Sequence, residues 1–315
     1  MTRRVAFLMD PPERLNPKTD TTLVLLEEAL ARGFDCYRLE PAAVRFESGQ
    51  VLAPVFRIDT MEQLEGQAEG DLNLATFDVL WVRQNPPFDL GYITITHFLD
   101  LITKTTLVVN HPAALRNHPE KIIVTQFADL IPPTVITGDR STLLRFHQQQ
   151  GHVVLKPLYA FGGQDIFLIN PDDANTTALI DVMLKTYAPE PIVMQKYLPG
   201  VASSGDRRVI MVDGDVIGSF ARIPEDGLRS NLVRGGKAEP VSLTPQEQQI
   251  CARVGPYLKR QGLLFAGLDL IDGHLTEVNV TSPTGIRTLN TLYQMKAEVL
   301  IWDAIERRLN PAYVG

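Results

Sequence analysis

Apolar positions along the chain fall into two textures, and the change comes near residue 120. In the first third, Val5-Ala6-Phe7-Leu8-Met9 is an unbroken apolar run, the pattern of a parallel strand covered on both faces. Leu23, Leu26 and Leu30 recur on one face of a helix over residues 21–31, with Gly33 just beyond as its stop. Residues 77–82 and 107–109 read as further strands. The stretch 47–71 has weak periodicity and reads as a hairpin or a long loop. Strand and helix in alternation predict an α/β, mostly parallel, doubly wound sheet.

Beyond Asn110 the punctuation changes. Asn110-His111-Pro112 opens a short helix, and residues 121–130 predict another. Residues 151–157, 167–170 and 192–197 read as strands. Two hairpins follow, one turning at Asp213-Gly214-Asp215 and one at Asp272-Gly273-His274. Hairpins imply antiparallel sheets, so the reading divides the chain into an α/β domain, 1–120, and a second unit, 121–315. Leu292, Met295, Val299, Trp302, Ile305 and Leu309 predict one continuous last helix, ending at Asn310-Pro311.

Composition narrows the classes. A hydrophobic share of 44% over 315 residues is enough for a core without disulfide or metal staples. The two cysteines, Cys36 and Cys251, form no CxxC pair, and the six histidines show no ligand spacing. The first apolar run is too short for a signal peptide, and no stretch approaches a membrane span. A net charge of −7 argues against nucleic acid or an anionic membrane as partner. A soluble cytoplasmic protein is expected.

Three clusters carry candidate chemistry. Glu277 and Asn279 lie two apart on one predicted strand, hence on one face. With Asp269 they would make a set of hard oxygen ligands suited to Mg²⁺. That requires an odd-length loop or a bulge, because a plain two-residue turn would pair Asp269 with Thr276. Otherwise the set is the polar face of a hairpin. Lys156 interrupts the apolar run Val153-Val154-Leu155 and needs an anion to offset its burial. Gly162 and Gly163 follow, in a loop able to aim N–H groups at phosphate, although the spacing is not that of a Walker P-loop. Lys121 lies at a helix start. Gln195-Lys196-Tyr197-Leu198 ends a strand in a manner suited to an adenine. Asp206, Arg208 and Arg222 add charge nearby, and residues 223–240, rich in glycine and polar side chains, read as a lid. Ser282, Thr284 and Gly285 offer hydroxyls and backbone N–H groups to a carboxylate, or simply cap a helix.

At these residues the chain resembles the ATP-grasp superfamily, and within it the bacterial glutathione synthetase family. Lys121, Lys156-Pro157 with Gly162-Gly163, residues 195–199 and Asp269 with Glu277-Val278-Asn279 carry the first resemblance. Arg83-Gln84-Asn85-Pro86-Pro87-Phe88-Asp89, Glu277-Val278-Asn279-Val280-Thr281-Ser282-Pro283-Thr284-Gly285, Met9-Asp10-Pro11 and Asn110-His111-Pro112 carry the second, over essentially the whole chain. The resemblance implies an N-terminal Rossmann-like parallel-sheet domain (1–120) that binds substrate. A two-lobed ATP-grasp unit (121–315) follows, with a nucleotide-clamping lobe (121–200) and a metal-binding lobe (201–315) with its lid (223–240). It implies ligation of γ-glutamylcysteine to glycine through an acyl phosphate, with release of ADP and phosphate.

Carried over by position, Lys121, Lys156, Gly162, Gly163, Gln195, Lys196, Tyr197, Leu198 and Asp206 would bind ATP. Asp269, Glu277 and Asn279 would hold two Mg²⁺, with Mn²⁺ able to substitute. Arg222 and Lys156 would be catalytic. Asp10, Arg83, Arg208, Arg222, Asn231, Ser282, Thr284 and Gly285 would contact the substrates. A homotetramer or homodimer is implied. The chain departs from the family pattern at Asn85, where an acid is usual, and at Tyr159-Ala160-Phe161, where the loop usually has more glycine. Two other readings stay open: an ATP-grasp ligase for a different peptide, and a non-catalytic ATP-binding protein.

Overall fold

The computed structural model describes residues 2–224 and 236–310 of the 315. The first sheet is built from β1 (Arg4–Met9), β2 (Asp35–Leu39), β3 (Arg45–Glu47), β4 (Gln50–Ile58), β5 (Gln67–Asn73), β6 (Val79–Arg83) and β7 (Leu107–Val109), with α1 (Thr21–Ala31), α2 (Leu90–Asp100) and α3 (Pro112–Asn117) beside it. Its order is β3-β4-β2-β1-β6-β7, with β5 also on β4. β2, β1, β6 and β7 run parallel. The expectation of a mostly parallel sheet holds for that half alone. The stretch read as a hairpin or loop holds β4 and most of β5, antiparallel like β3 just before it, because the turns at Ser48-Gly49 and Gly66 (φ 50°, 82° and 72°) reverse the chain locally.

The middle of the chain forms a separate lobe of β8 (Thr134–Thr137), β9 (Val153–Pro157), β10 (Phe167–Ile169) and β11 (Ile192–Lys196), ordered β10-β9-β11-β8, with α4 (Arg140–Gln150) and α5 (Thr176–Thr186). After the short α6 (Gly200–Ser204), a third sheet, β14-β13-β12-β15-β16, contains β12 (Asp206–Val212), β13 (Asp215–Ile223), β14 (Lys237–Pro240), β15 (Phe265–Ile271) and β16 (His274–Asn279). Beside it lie α7 (Pro245–Gln261), α8 (Ile286–Tyr293) and α9 (Ala297–Leu309).

The first and third sheets share their cores. Alternate residues of β1 enter different clusters. Ala6 and Leu8 pack with Val209, Met211 and Leu268, whereas Val5, Phe7 and Met9 pack with Ile210, Phe265 and Trp302. The middle lobe has a core of its own around Leu155, Ile180 and Met194. Asn110 fastens the first sheet to the third: its amide donates to Phe265 O and Val280 O, both at 2.7 Å, and its oxygen accepts from Phe265 N at 2.9 Å.

Two expected elements differ. Residues 121–130 hold only a 3₁₀ stretch, Ile123–Phe127; Pro119 and Pro132-Pro133 leave little room between them for an α-helix. The last helix breaks into α8 and α9 at Gln294 (φ 51°), where Asn290 receives Ala297 N and donates to Glu298. Of the lid stretch, Ile223 ends β13 and Lys237–Pro240 pairs with it as β14; residues 225–235, and with them Asn231, lie outside the described residues.

Candidate active site

Between the middle lobe and the third sheet lies a cleft of about 190 Å³. Lys121, Lys156, Gly162, Gly163, Gln195, Lys196, Tyr197, Leu198, Asp206, Arg208, Arg222, Asp269, Glu277 and Asn279 all line it. The nucleotide and metal candidates therefore meet in one place, although they come from residues more than 150 positions apart.

Hairpin geometry explains how the acidic set assembles. The turn at Asp272-Gly273 has two residues in the left-handed region (φ 47° and 69°) and pairs Ile271 with His274. Left alone it would oppose Asp269 to Thr276. A bulge between Asp269 and Leu270 absorbs one residue, so Asp269 faces Glu277 and Gly267 faces Asn279. Thr276, the extra residue, donates its hydroxyl back to Asp269 O at 3.0 Å.

The charges are densely paired. Arg208 forks onto Asp269 at 2.6 and 3.0 Å. Arg222 forks onto Asp206 and also reaches Asp269 at 2.9 Å. Burial by itself would push Asp269 up, but the two guanidinium groups outweigh it and hold the carboxyl at about 2. For Arg222 burial works against the charge, Asp206 and Asp269 outweigh it, and the group is raised. Lys121 bridges Glu277 at 3.3 Å and donates to the carbonyls of Ala160 (2.5 Å) and Leu158 (3.4 Å). Lys156 donates to Gln195 Oε1 at 3.1 Å, and burial brings it down to about 8. Gly162 and Gly163 both have positive φ, 66° and 72°, which turns this loop where an L side chain would be strained.

The donor set fits Mg²⁺. A carboxylate that stays ionised at any ordinary pH faces a second carboxylate. Asn279, with Nδ2 on Asp269 and Gly267 O, keeps Oδ1 as a neutral oxygen ligand. Among the described residues no three His, Cys, Asp or Glu side chains form a cage of their own. Such a set suits an ion that completes its shell with water and phosphate.

The remaining candidates form a second group beside the cleft. Arg83 is 3% exposed and donates to Thr22 Oγ1 (3.1 Å) and Pro283 O (3.1 Å), while its Nη1 has no partner among the described residues. Burial lowers it to about 10, against the pull of Asp20, Tyr92 and Asp10. Asn85 donates to Asp10 at 2.7 Å and accepts from Ser282 Oγ at 2.6 Å. Arg208 links the two groups through Thr284 O at 3.2 Å. Gly285 has φ 120°, and a Cβ there would lie 3.0 Å from Phe220.

Glu120, absent from the sequence-derived set, lines the same cleft. It accepts from Thr281 Oγ1 at 2.7 Å; burial and then the charge of Glu277 push it up to about 7. Its place beside Lys121 is its one sequence signal.

Comparison with known proteins places this geometry in a family. Residues 4–116 match the family model of the prokaryotic glutathione synthetase N-terminal domain, and residues 120–294 match that of the prokaryotic glutathione synthetase ATP-grasp domain. The glutathione synthetase of Rhodopseudomonas palustris is 45% identical over 318 residues, covering 98% of this chain and 99% of that protein. That of Bradyrhizobium diazoefficiens is 44% identical, with 98% and 99% covered. Among solved structures, the D-cycloserine synthetase DcsG superposes with a TM-score of 0.68 at 14% identity, covering 98% of this chain and all of that one (100%). The ATP-grasp ligase PsnB with its minimal precursor gives 0.65 at 18%, with 98% and 100% covered. At such identities these likenesses speak for the fold alone.

Proposed function

The chain belongs to the prokaryotic glutathione synthetase family, ATP-dependent ligases of the ATP-grasp fold, and on that premise we propose how its own residues join γ-glutamylcysteine to glycine. One observation carries the reading: Lys121, Lys156, Arg208 and Arg222 converge on Asp269, Glu277 and Asn279 in a single cleft. Phosphoryl transfer to a carboxylate needs positioning and charge neutralisation, and these residues supply both.

Lys121, Lys156 and the N–H groups at Gly162 and Gly163 receive the phosphates. Gln195, Lys196, Tyr197 and Leu198 frame the adenine, and Asp206 orients Arg222 toward the nucleotide. Asp269, Glu277 and Asn279 would hold Mg²⁺, two ions replaceable by Mn²⁺, which when bound neutralise phosphate oxygens. Arg83, with its unpartnered Nη1, holds a carboxylate of the dipeptide, and Asp10 its ammonium. The cysteinyl carboxylate attacks the γ-phosphorus and ADP leaves, giving an acyl phosphate. The glycine amine then attacks the carbonyl carbon. Arg222 and Arg208 stabilise the oxyanion as phosphate departs and the nitrogen loses a proton. Ser282, Thr284 and Gly285 hold glycine. No side-chain nucleophile is needed.

In this reading 1–120 is the acceptor domain and 121–315 the ATP-grasp unit, with clamping (121–200) and metal-binding (201–315) lobes. No helix among the described residues is long and apolar enough to cross a membrane. A cytoplasmic homotetramer or homodimer completes the proposal. The test is ADP release with Mg-ATP, supplying γ-glutamylcysteine and glycine separately and together. Turnover that requires both, with the tripeptide detected by mass spectrometry, supports the reading. ADP release only with another acceptor overturns the choice of substrate.

A further inference from the structure

We propose that Tyr159 is a positioning residue that couples nucleotide binding to acceptor binding. The proposal rests on the reading that the cleft takes Mg-ATP and the group around Arg83 takes the dipeptide. Tyr159 lies in the loop after β9 whose glycines face the cleft. Its ring stacks on Phe88, with centroids 5.8 Å apart and planes 18° from parallel. Phe88 belongs to the segment between β6 and α2, two residues beyond Pro86 and three beyond Asn85, and packs against the buried Tyr92 at 5.2 Å. One ring therefore comes from the nucleotide loop and the other from the acceptor segment. Asn85 of that segment is bonded in turn to Asp10 and Ser282.

Lys121 shows why this contact matters once nucleotide enters. An ammonium has three protons. Here Ala160 O, Leu158 O and the Glu277 carboxylate take them. A phosphate that recruits Lys121 must displace at least one of these partners, and two of the three are backbone carbonyls flanking Tyr159. Where the partner displaced is Ala160 O or Leu158 O, nucleotide binding loosens a tether on the loop, and the Tyr159–Phe88 stack then holds the loop in register. Phe88 is held by Tyr92 and by its own segment, so an acceptor bound at Arg83 and Asp10 firms the stack through residues 83–88. The nucleotide gains affinity in consequence, and by reciprocity so does the acceptor. An aromatic pair of this kind corresponds to a change of about two- to ten-fold in a binding constant.

The experiment is titration calorimetry of a non-hydrolysable Mg-ATP analogue, with and without saturating γ-glutamylcysteine, on the wild-type chain, Tyr159→Ala, Tyr159→Phe, Phe88→Ala and the double alanine variant. The dipeptide is expected to tighten analogue binding in the wild type and in Tyr159→Phe, which keeps the ring. That gain should vanish in Tyr159→Ala and in Phe88→Ala. The double variant should be no worse than either single one, the mark of a shared contact. An equal gain in wild type and Tyr159→Ala overturns the coupling while leaving the substrate reading intact, as do strictly additive single effects. A wild-type chain that binds the analogue but not the dipeptide overturns the acceptor reading, and the coupling with it.

Discussion

Lys156 illustrates what one side chain reveals before and after folding. A lysine inside an apolar run announces an anion, and its neighbours within the strand say no more than that. The structure adds that burial brings it to about 8 from an ordinary 10.5. The unfolded chain thus binds more protons between those values, and on this group's account stability rises with pH across that window. Nucleotide binding runs the other way. Below pH 8 the ammonium is already present; above it, a proton must be taken up for Lys156 to meet a phosphate as proposed. The affinity for a Mg-ATP analogue is expected to fall by up to about ten-fold per unit above pH 8, with proton uptake visible by calorimetry in two buffers of different ionisation enthalpy. A pH-independent affinity between 7 and 9.5 would contradict this. Arg222 makes a second prediction. Arg222→Lys keeps the charge and loses the fork that joins Asp206 to Asp269. A kcat about 10²-fold lower is expected, with the fold intact by circular dichroism. Glu120 escaped the sequence reading because nothing in its surroundings along the chain has a period. Its significance comes from Thr281 and Glu277, which only the tertiary fold brings to it.

At the scale of elements, both Asp-Gly hairpins were legible from turn chemistry, and so was helix α1 with its full extent, Thr21–Ala31. The bulge beside Asp269 was legible only as a condition, since no single residue encodes it. Thr276→Val removes the hydroxyl that ties the bulge to Asp269 O. Urea denaturation should show a loss of about 1 kcal/mol. The apparent affinity for Mg²⁺ in the turnover assay should weaken by about ten-fold, because the two carboxylates lose their fixed spacing. Unchanged Mg²⁺ dependence would show that the bulge does not set that spacing. Helix α7 has no counterpart among the expected elements, although Thr244-Pro245-Gln246-Glu247 spells a helix start and the capping box is formed. The break at Gln294 was hidden for a different reason. The apolar spacing from Leu292 to Leu309 continues through the corner, which the left-handed Gln294 and Asn290 turning back onto Ala297 and Glu298 mark in the structure.

At the scale of the molecule, periodicity shows which face of an element is buried and not what covers it. Hence the change of texture near residue 120 is visible in the sequence, whereas the packing of β1 with both Leu268 and Trp302 is not. Asn110 is the polar fastener of that joint. Asn110→Ala leaves Phe265 N–H, Phe265 O and Val280 O without these partners in a buried setting. A loss of about 3 kcal/mol in urea denaturation is expected, and a loss below about 0.5 kcal/mol would mean the joint is held by apolar contact alone. On the ribosome this shared core sets an order of events. Residues 4–109 emerge first, yet the core on the face of β1 that bears Phe7 also takes in Ile210, Phe265 and Trp302, more than a hundred residues later. Trp302 also donates to Leu25 O in α1. The middle lobe, with a core drawn from its own residues, Val135 to Met194, can close while synthesis continues. The first sheet has to wait, with apolar surface open to chaperones, until the final helix has left the exit tunnel.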